Sequence, residues 1–274
     1  MSPITVFCPF TRPEYVRRWF DDLASTDLKA ENTNLAFIID VGEDAEGQNL
    51  GAKIYMRIIE EMQRTNYRKF LITKNYEHQV PGSIIMRRRR IAEIHNQSKE
   101  LIKALDGIYV LGLEDDTVFT NLCVARLFEP FQNARFYQNK VGLVSAYEAG
   151  RWNMKIIGIW GFDDVQNPRE CWTMLPGKDY ERIDAAGFYC YLTPTELYLK
   201  HDYITEDIDP YGPDVRYGLD LRQQGYTNFV DWSQPCGHID GDRIITPNDN
   251  LYVESFSFDE KLKGWVRRKQ DALH

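Results

Sequence analysis

Residues 107–119 read "GIYVLGLEDDTVF". An apolar run ends in three consecutive acids, Glu114, Asp115 and Asp116, and a second apolar pattern follows at once. Adjacent carboxylates repel and raise one another's pKa unless a cation or hydrogen bonds offset the charge. Either the three fan into water as a turn, or something positive gathers there. The question decides the fold, because a buried strand that delivers acids at its carboxyl end is how an open α/β sheet builds a site.

Working outward, the chain before this point alternates strand and helix four times. "ITVFCPF" (4–10) has the continuous apolar character of a buried strand. It is followed by Thr11, Arg12 and Pro13, with Pro at a first helical position. Tyr15, Val16, Trp19, Phe20 and Leu23 then recur at helical spacing. "NLAFIID" (34–40) predicts a second strand, "AKIYMRIIEEMQRT" (52–65) a helix and "RKFLITKN" (68–75) a third strand. "SIIMRRRRIAEIHNQSKELIKAL" (83–105) predicts a long helix before the fourth strand, "GIYVLGL". Such alternation predicts a mostly parallel sheet flanked by helices. The polar strand ends, Pro9 to Arg12, Asp40 and Glu114 to Asp116, then share one rim.

The second half is less regular. Residues 142–146 predict a strand, and 151–182 a loop-rich, tryptophan-rich stretch. A strand and a helix opening at Thr193 or Pro194 come next. "YGPDVRYGLDLRQQGYTNFVDWSQPCGHID" (211–240) predicts a helix from 213 to 224 and a stop at Gly225. A strand over 227–232 and a loop ending at His238 follow. One domain over 1–274 is expected. Residues 1–120 form one half, 121–240 the second, and 241–274 an irregular tail.

The bulk properties narrow the function. The 274 residues carry a net charge of −8, so no global basic field recruits nucleic acid or an anionic membrane. No apolar run reaches the roughly 20 residues of a membrane span. The amino terminus lacks the shape of a signal peptide. Five cysteines are scattered without a CxxC pair, which argues against a disulfide framework or a zinc site and for a reducing compartment. The expected location is the cytoplasm, or a host's cytoplasm if the protein is viral.

Taken in order, these pieces resemble the GT-A glycosyltransferases, especially the inverting family 2. The resemblance rests on "ITVFCPFTRPEYVRRWFDDL", "AFIIDVGED", "RRRRIAEIHN", "YVLGLEDDTVF", "DAAGFYCYLTPTELY" and the closing phrase that ends "CGHI". It implies a Rossmann-like GT-A sheet in a single α/β domain, a DxD-type motif at Glu114–Asp115–Asp116, and a nucleotide-sugar donor, a UDP-sugar foremost. It also implies Mn²⁺ or Mg²⁺, since hard divalent cations suit carboxylate oxygen and offset a departing diphosphate.

By position, Asp116 and His238 become the metal ligands. Glu114 lies near the ribose or a metal-bound water, and Asp115 supports either. Asp40 meets the nucleotide base, Arg90 the diphosphate, and Pro9, Thr11 and Arg12 the donor. Asp214 becomes the general base for the acceptor hydroxyl, with Asp220 as alternative. Tyr147, Trp152, Trp160, Phe162 and Trp172 are divided between an acceptor wall and ordinary core. The departures from the family pattern are Val41 after Asp40, His95–Asn96 for Arg–Asn, and Pro213–Asp214 for Glu–Asp. The acceptor is left open among a small glycan, a protein and a modified DNA base, and the oligomeric state is also open. The alternatives are a nucleotidyltransferase, disfavoured because no glycine follows the first strand, and a non-catalytic nucleotide-sugar-binding module.

Overall fold

The computed structural model describes residues 3–42, 45–75, 84–136, 139–149, 157–162, 170–204, 211–247, 255–259 and 264–267. Along the first half run β1 (Ile4–Phe10), α1 (Pro13–Ser25), β2 (Thr33–Ile39), α2 (Ala45–Arg64), β3 (Lys69–Lys74), α3 (Ile84–Leu105) and β4 (Tyr109–Leu113). β5 (Thr117–Val118), α4 (Cys123–Gln132), β6 (Val141–Glu148), β7 (Ile159–Phe162), β8 (Glu170–Thr173), β9 (Tyr180–Ile183) and β10 (Ala185–Ala186) follow. β11 (Cys190–Pro194), α5 (Thr195–Lys200), α6 (Pro213–Gln223), β12 (Thr227–Asp240), β13 (Arg243–Ile245), β14 (Ser255–Asp259) and β15 (Gly264–Arg267) complete the order.

The main sheet runs β13-β12-β6-β11-β4-β1-β2-β3. β3, β2, β1 and β4 are parallel. β11 inserts antiparallel between β4 and β6, and β12 then joins β6 in parallel. Every residue of β2 is buried, as expected of a strand covered on both faces. α1 and α2 pack on each other, while α3 lies across β1, β2 and β3. Phe10, Trp19, Phe20 and Phe37 meet edge-on or tilted at centroid separations of 5.3–5.8 Å and anchor α1 to the sheet. Among the described residues, no helix is long and apolar enough to cross a membrane.

Three differences from the sequence expectation have physical causes. Residues 151–182, read as loop, contain β7, β8 and all but the last residue of β9. These strands are only four residues each, too short for a periodic signal, and β8 pairs with β14 from the distant 255–259 segment. The tail is correspondingly not wholly irregular, since β14 and β15 extend the five-stranded sheet β10-β7-β8-β14-β15. His238 lies in a strand rather than at a loop end. β12 continues to Asp240 through a register shift between Val230 and Pro235, an irregularity that accommodates a proline.

Gly112 in β4 illustrates how closely the site's supporting strands pack. A Cβ there would sit 2.1 Å from Cε1 of Tyr191, which is fully buried on β11. The ring cannot swing into solvent, so Gly112→Ala overpacks the junction of β4 and β11. It should destabilise the protein by about 1–3 kcal/mol, lowering the thermal midpoint by several degrees. An unchanged midpoint in calorimetry would show that this junction yields.

Candidate active site

β1, β2 and β4 end side by side, so Thr11, Asp40 and Glu114 emerge on one rim. The middle acid of the triplet turns into the fold. Asp115 Oδ2 accepts hydrogen bonds from the Thr11 backbone N–H at 2.7 Å and from Thr11 Oγ1 at 2.9 Å. The Asp115 carbonyl accepts from Arg18, whose guanidinium also donates to the Thr117 carbonyl at 3.0 Å. Asp115 therefore fastens the end of β1 to the end of β4. Burial and then Asp116 raise its pKa to about 6, against the lowering effect of the Thr11 bonds.

Asp116 faces two cationic partners. Its Oδ2 is 3.5 Å from Arg12 Nη1 and 3.4 Å from His238 Nε2. His238 reaches it because β5 pairs antiparallel with β12, setting His238 opposite Thr117, while Ile239 N–H donates to the Asp116 carbonyl at 2.8 Å. The other ring nitrogen, Nδ1, is 3.3 Å from Glu148 Oε1 at the end of β6. Burial alone would lower the His238 pKa, but the Asp116 and Glu148 carboxylates together raise it to about 10. Glu148 was not singled out from the sequence. It is one acid ending an apolar run, and its partner lies 90 positions on in "CGHI".

Glu114 is half-buried beside these groups, its N–H donating to the Tyr189 carbonyl at 3.0 Å. Burial, then Asp116 and Glu148, raise its pKa to about 8. The centre thus holds Glu114, Asp115, Asp116 and Glu148 against Arg12 and one imidazole. The donor set fits a divalent cation. Two ligands about 2.1 Å from one ion stand about 3.0–3.4 Å apart at angles of about 90–110°, and Asp116 Oδ2 and His238 Nε2 are 3.4 Å apart. Nε2 faces Asp116 and Nδ1 faces Glu148, so an ion held by Asp116 and Nε2 would take the place of the Nε2 proton.

A cavity of about 230 Å³ opens beside this centre. Its walls include Pro9, Thr11, Arg12, Asp40, Arg90 and the triplet, with Phe188, His95 and Tyr191 on the apolar side. That is below the roughly 300–1,000 Å³ of whole small-molecule sites, and suits part of an extended ligand. Asp40 and Arg90 are partners rather than separate contacts. Arg90 Nε donates to Asp40 Oδ2 at 2.6 Å, and Asn75 Nδ2 donates to Oδ1 at 2.8 Å. Both carboxylate oxygens of Asp40 are therefore engaged. His95 is buried neutral, its pKa lowered to about 3 by burial first, and shares a 2.8 Å hydrogen bond with Tyr198.

Asp214 stands apart from the cavity wall. It lies in the first turn of α6, where the helix dipole favours an acid. Its Oδ2 is 3.8 Å from where a Cβ on Gly187 would sit, and Gly187 directly precedes the wall residue Phe188. Burial raises its pKa, partly offset by the Val215 N–H and then by Arg88. Asp220 is committed elsewhere, to His201 at 3.4 Å and Arg216 at 3.7 Å. Of the aromatic candidates, Tyr147 is buried against Trp232 and Phe162 packs on Tyr211. Trp160 is partly buried on β7, and Trp172 is 38% exposed on β8. Trp152 lies outside the described residues.

No family model matches the sequence, and no curated protein does. Solved structures do resemble it in fold. One is a mannosyltransferase from Pyrobaculum calidifontis in complex with GDP-Man and Mn²⁺, at a TM-score of 0.54 and 12% identity over 84% of this chain and 57% of that one. Another is GalNAc-T7 with UDP, GalNAc and Mn²⁺, at a TM-score of 0.55 and 12% identity over 92% of this chain and 45% of that one. The chain spans about half the length of these neighbours. At such identity the likeness shows the fold, an α/β fold of the GT-A glycosyltransferase type.

The raised pKa of Glu114 has a testable sign. A carboxyl that ionises near 8 when folded and near 4.5 when unfolded binds its proton more tightly in the native state. Its contribution to stability is therefore lost as pH rises from 4.5 through 8. In chelator, Glu114→Gln should raise the thermal midpoint clearly at pH 9 and much less at pH 6, where the native carboxyl keeps its proton. Added Mn²⁺ should shrink the gain at pH 9. An equal gain at both pH values would show that Glu114 is not held in a strained, acid-rich setting.

Proposed function

We propose that this protein is a metal-dependent glycosyltransferase that moves a sugar from a nucleotide-sugar donor to an acceptor hydroxyl with inversion. The observation that carries the reading is the pair Asp116–His238, set 3.4 Å apart at the carboxyl end of β4 with Glu148 behind the imidazole. The neighbours of like fold were solved with GDP-Man or UDP and with Mn²⁺, which supports the same class of donor and ion here.

Asp116 and His238 would hold Mn²⁺ or Mg²⁺, whose charge would offset that developing on the diphosphate leaving group. The chain's own groups do the rest. Arg12 presents its guanidinium to the donor side of Asp116, adding fixed positive charge beside the phosphates. Arg90 lines the same cavity, held in place by Asp40. Glu114 takes a hydroxyl of the ribose. Asp115 keeps the β1 turn, and with it Thr11 and Arg12, in register with the acids.

Asp214 serves as the base. Its partly buried carboxylate has a pKa raised above the ordinary value, so it accepts a proton more readily than a solvated aspartate. The acceptor approaches over Gly187, its hydroxyl proton passing to Asp214 as its oxygen forms the bond to the anomeric carbon. The bond from that carbon to the diphosphate oxygen breaks on the opposite face, with the electron pair leaving on the diphosphate. UDP-sugars are the first donors to test, and the acceptor is a small glycan, a protein hydroxyl or a modified DNA base.

Two outcomes check the reading. In calorimetry, UDP or GDP should bind at least tenfold more tightly with Mn²⁺ than in EDTA, and Asp116→Ala should abolish most of the difference. Equal binding in EDTA would remove the metal from the account. Asp214→Asn should fold and bind donor as the parent does, yet transfer sugar about 10²–10⁴-fold more slowly, the loss falling on kcat. Asn caps a helix nearly as well as Asp, so surviving activity would mark Asp214 as a helix-terminal acid only. A retained anomeric configuration would equally end its role as base.

A further inference from the structure

Three of the five cysteines, 67 and 46 positions apart along the chain, converge in the core. Cys123 opens α4, Cys190 opens β11 and Cys236 lies in β12. Their sulfur atoms all lie within 4.8 Å of one another, with Cys123 Sγ and Cys190 Sγ 3.4 Å apart. All three are free, and none is more than 1% exposed. The wide spacing that argued against a metal site in the sequence does not keep them apart in the fold.

Buried cysteines often pack simply as small apolar residues. Here the sulfurs face one another rather than dispersing among the surrounding leucines and valines. Three thiolates about 2.3 Å from one ion stand about 3.7–4.0 Å apart, between the 3.4 Å of the Cys123–Cys190 pair and the 4.8 Å within which all three sulfurs lie. A disulfide is a poorer reading, because its sulfurs must close to about 2.05 Å, and it would leave the third thiol unused.

The geometry points to a second ion site, in which Cys123, Cys190 and Cys236 bind one soft, thiol-seeking cation of the Zn²⁺ or Cu⁺ type. Sulfur selects such ions, whereas oxygen suits Mn²⁺ and Mg²⁺, so this site and the Asp116–His238 site discriminate by chemistry. On binding, each thiol releases its proton to solvent as its sulfur joins the ion. Three thiolates around a divalent ion leave one net negative charge, and around a monovalent ion two. The first turn of the ten-residue helix α4, which Cys123 begins, supplies partial positive charge beside it. Among the described residues no fourth His, Cys, Asp or Glu joins the group, which offers three ligands.

The site's place in the fold gives it a role. The bound cation ties α4, β11 and β12 together directly behind the acid centre. Cys236 registers against Glu148, the residue on His238 Nδ1, and shares its strand face with His238 two positions on. Cys190 registers against Leu113, the residue before Glu114. Filling the thiol site therefore braces the strands that aim the oxygen and nitrogen ligands. This inference does not depend on the glycosyltransferase reading.

The test uses the full chain. The reduced protein is unfolded in chelator and refolded without oxygen in three arms, with Zn²⁺, with Cu⁺ or with Mn²⁺ alone. Bound metal is then measured by native mass spectrometry after dialysis against excess Mn²⁺. One equivalent of Zn²⁺ or Cu⁺ should be retained, and the arm that retains it identifies the ion. Cys123→Ser and Cys190→Ser should each cut retention at least tenfold, while Cys8→Ser and Asp116→Asn should leave it intact. In the unsubstituted protein, sulfur-to-metal charge-transfer absorption should appear with the ion, a readout that holds even if a variant fails to fold. Retention of neither ion, or undiminished retention in folded Cys123→Ser, would overturn the site.

Discussion

The hydrogen bonds from Thr11 to Asp115 are the constraint on which the rest of the site depends. They join the residue just after β1 to the second residue beyond β4, 104 positions apart. With one oxygen of Asp115 committed to Thr11, all three acids stand at the cavity wall together with Arg12. The cost is electrostatic. Three successive acids, joined by Glu148 from β6, are concentrated where burial and mutual repulsion raise the pKa values of Glu114 and Asp115. Such crowding calls for compensating charge, met by bound protons or by cations. The protein supplies part of it through Arg12, His238 and the Arg18 bond to the Asp115 carbonyl. Near neutral pH the proton that Glu114 keeps lowers the crowding further, and a divalent ion would take the place of that proton and of the His238 charge.

The long strand β12 answers this demand from the far edge of the sheet. It joins β6 in parallel and is bent by a register shift, then turns toward the triplet and pairs with β5. Without that continuation His238 would not reach Asp116. Glu148 enters by the same route, because β6 ends against the bent part of β12. Asp116, His238 and Glu148 thus come from three separated stretches, brought together by strand pairing rather than by a local motif.

The fourfold alternation was legible because parallel strands buried on both faces read as unbroken apolar runs and amphipathic helices read at their own period. β1, β2, β3 and β4 fall within a residue or two of their expected bounds for this reason. The strands β7, β8 and β9 were not legible, since four residues are too few for a periodic signal, and β8 and β9 also pair with strands far along the chain. The triplet announced itself by charge, and the structure brings Pro9, Thr11, Arg12, Asp40, Arg90 and His238 around it. The sequence did not reveal the division of labour. Asp115 points into the fold, Asp40 is saturated by Arg90 and Asn75, and Glu148 supports His238. Such pairings are set by three-dimensional register, which a single chain's residue types do not encode locally. The convergence of Cys123, Cys190 and Cys236 was hidden for the same reason.

The central claim is that the acids of β4 and the histidine of β12 form one ion site. Crystals grown with Mn²⁺ and a nucleoside diphosphate, measured at the manganese absorption edge, test it most directly. The account predicts an anomalous peak within ligand distance of both Asp116 Oδ and His238 Nε2, with a diphosphate oxygen completing its shell. A peak bound elsewhere, or clear diphosphate density at the site with no manganese between Asp116 and His238, would contradict it.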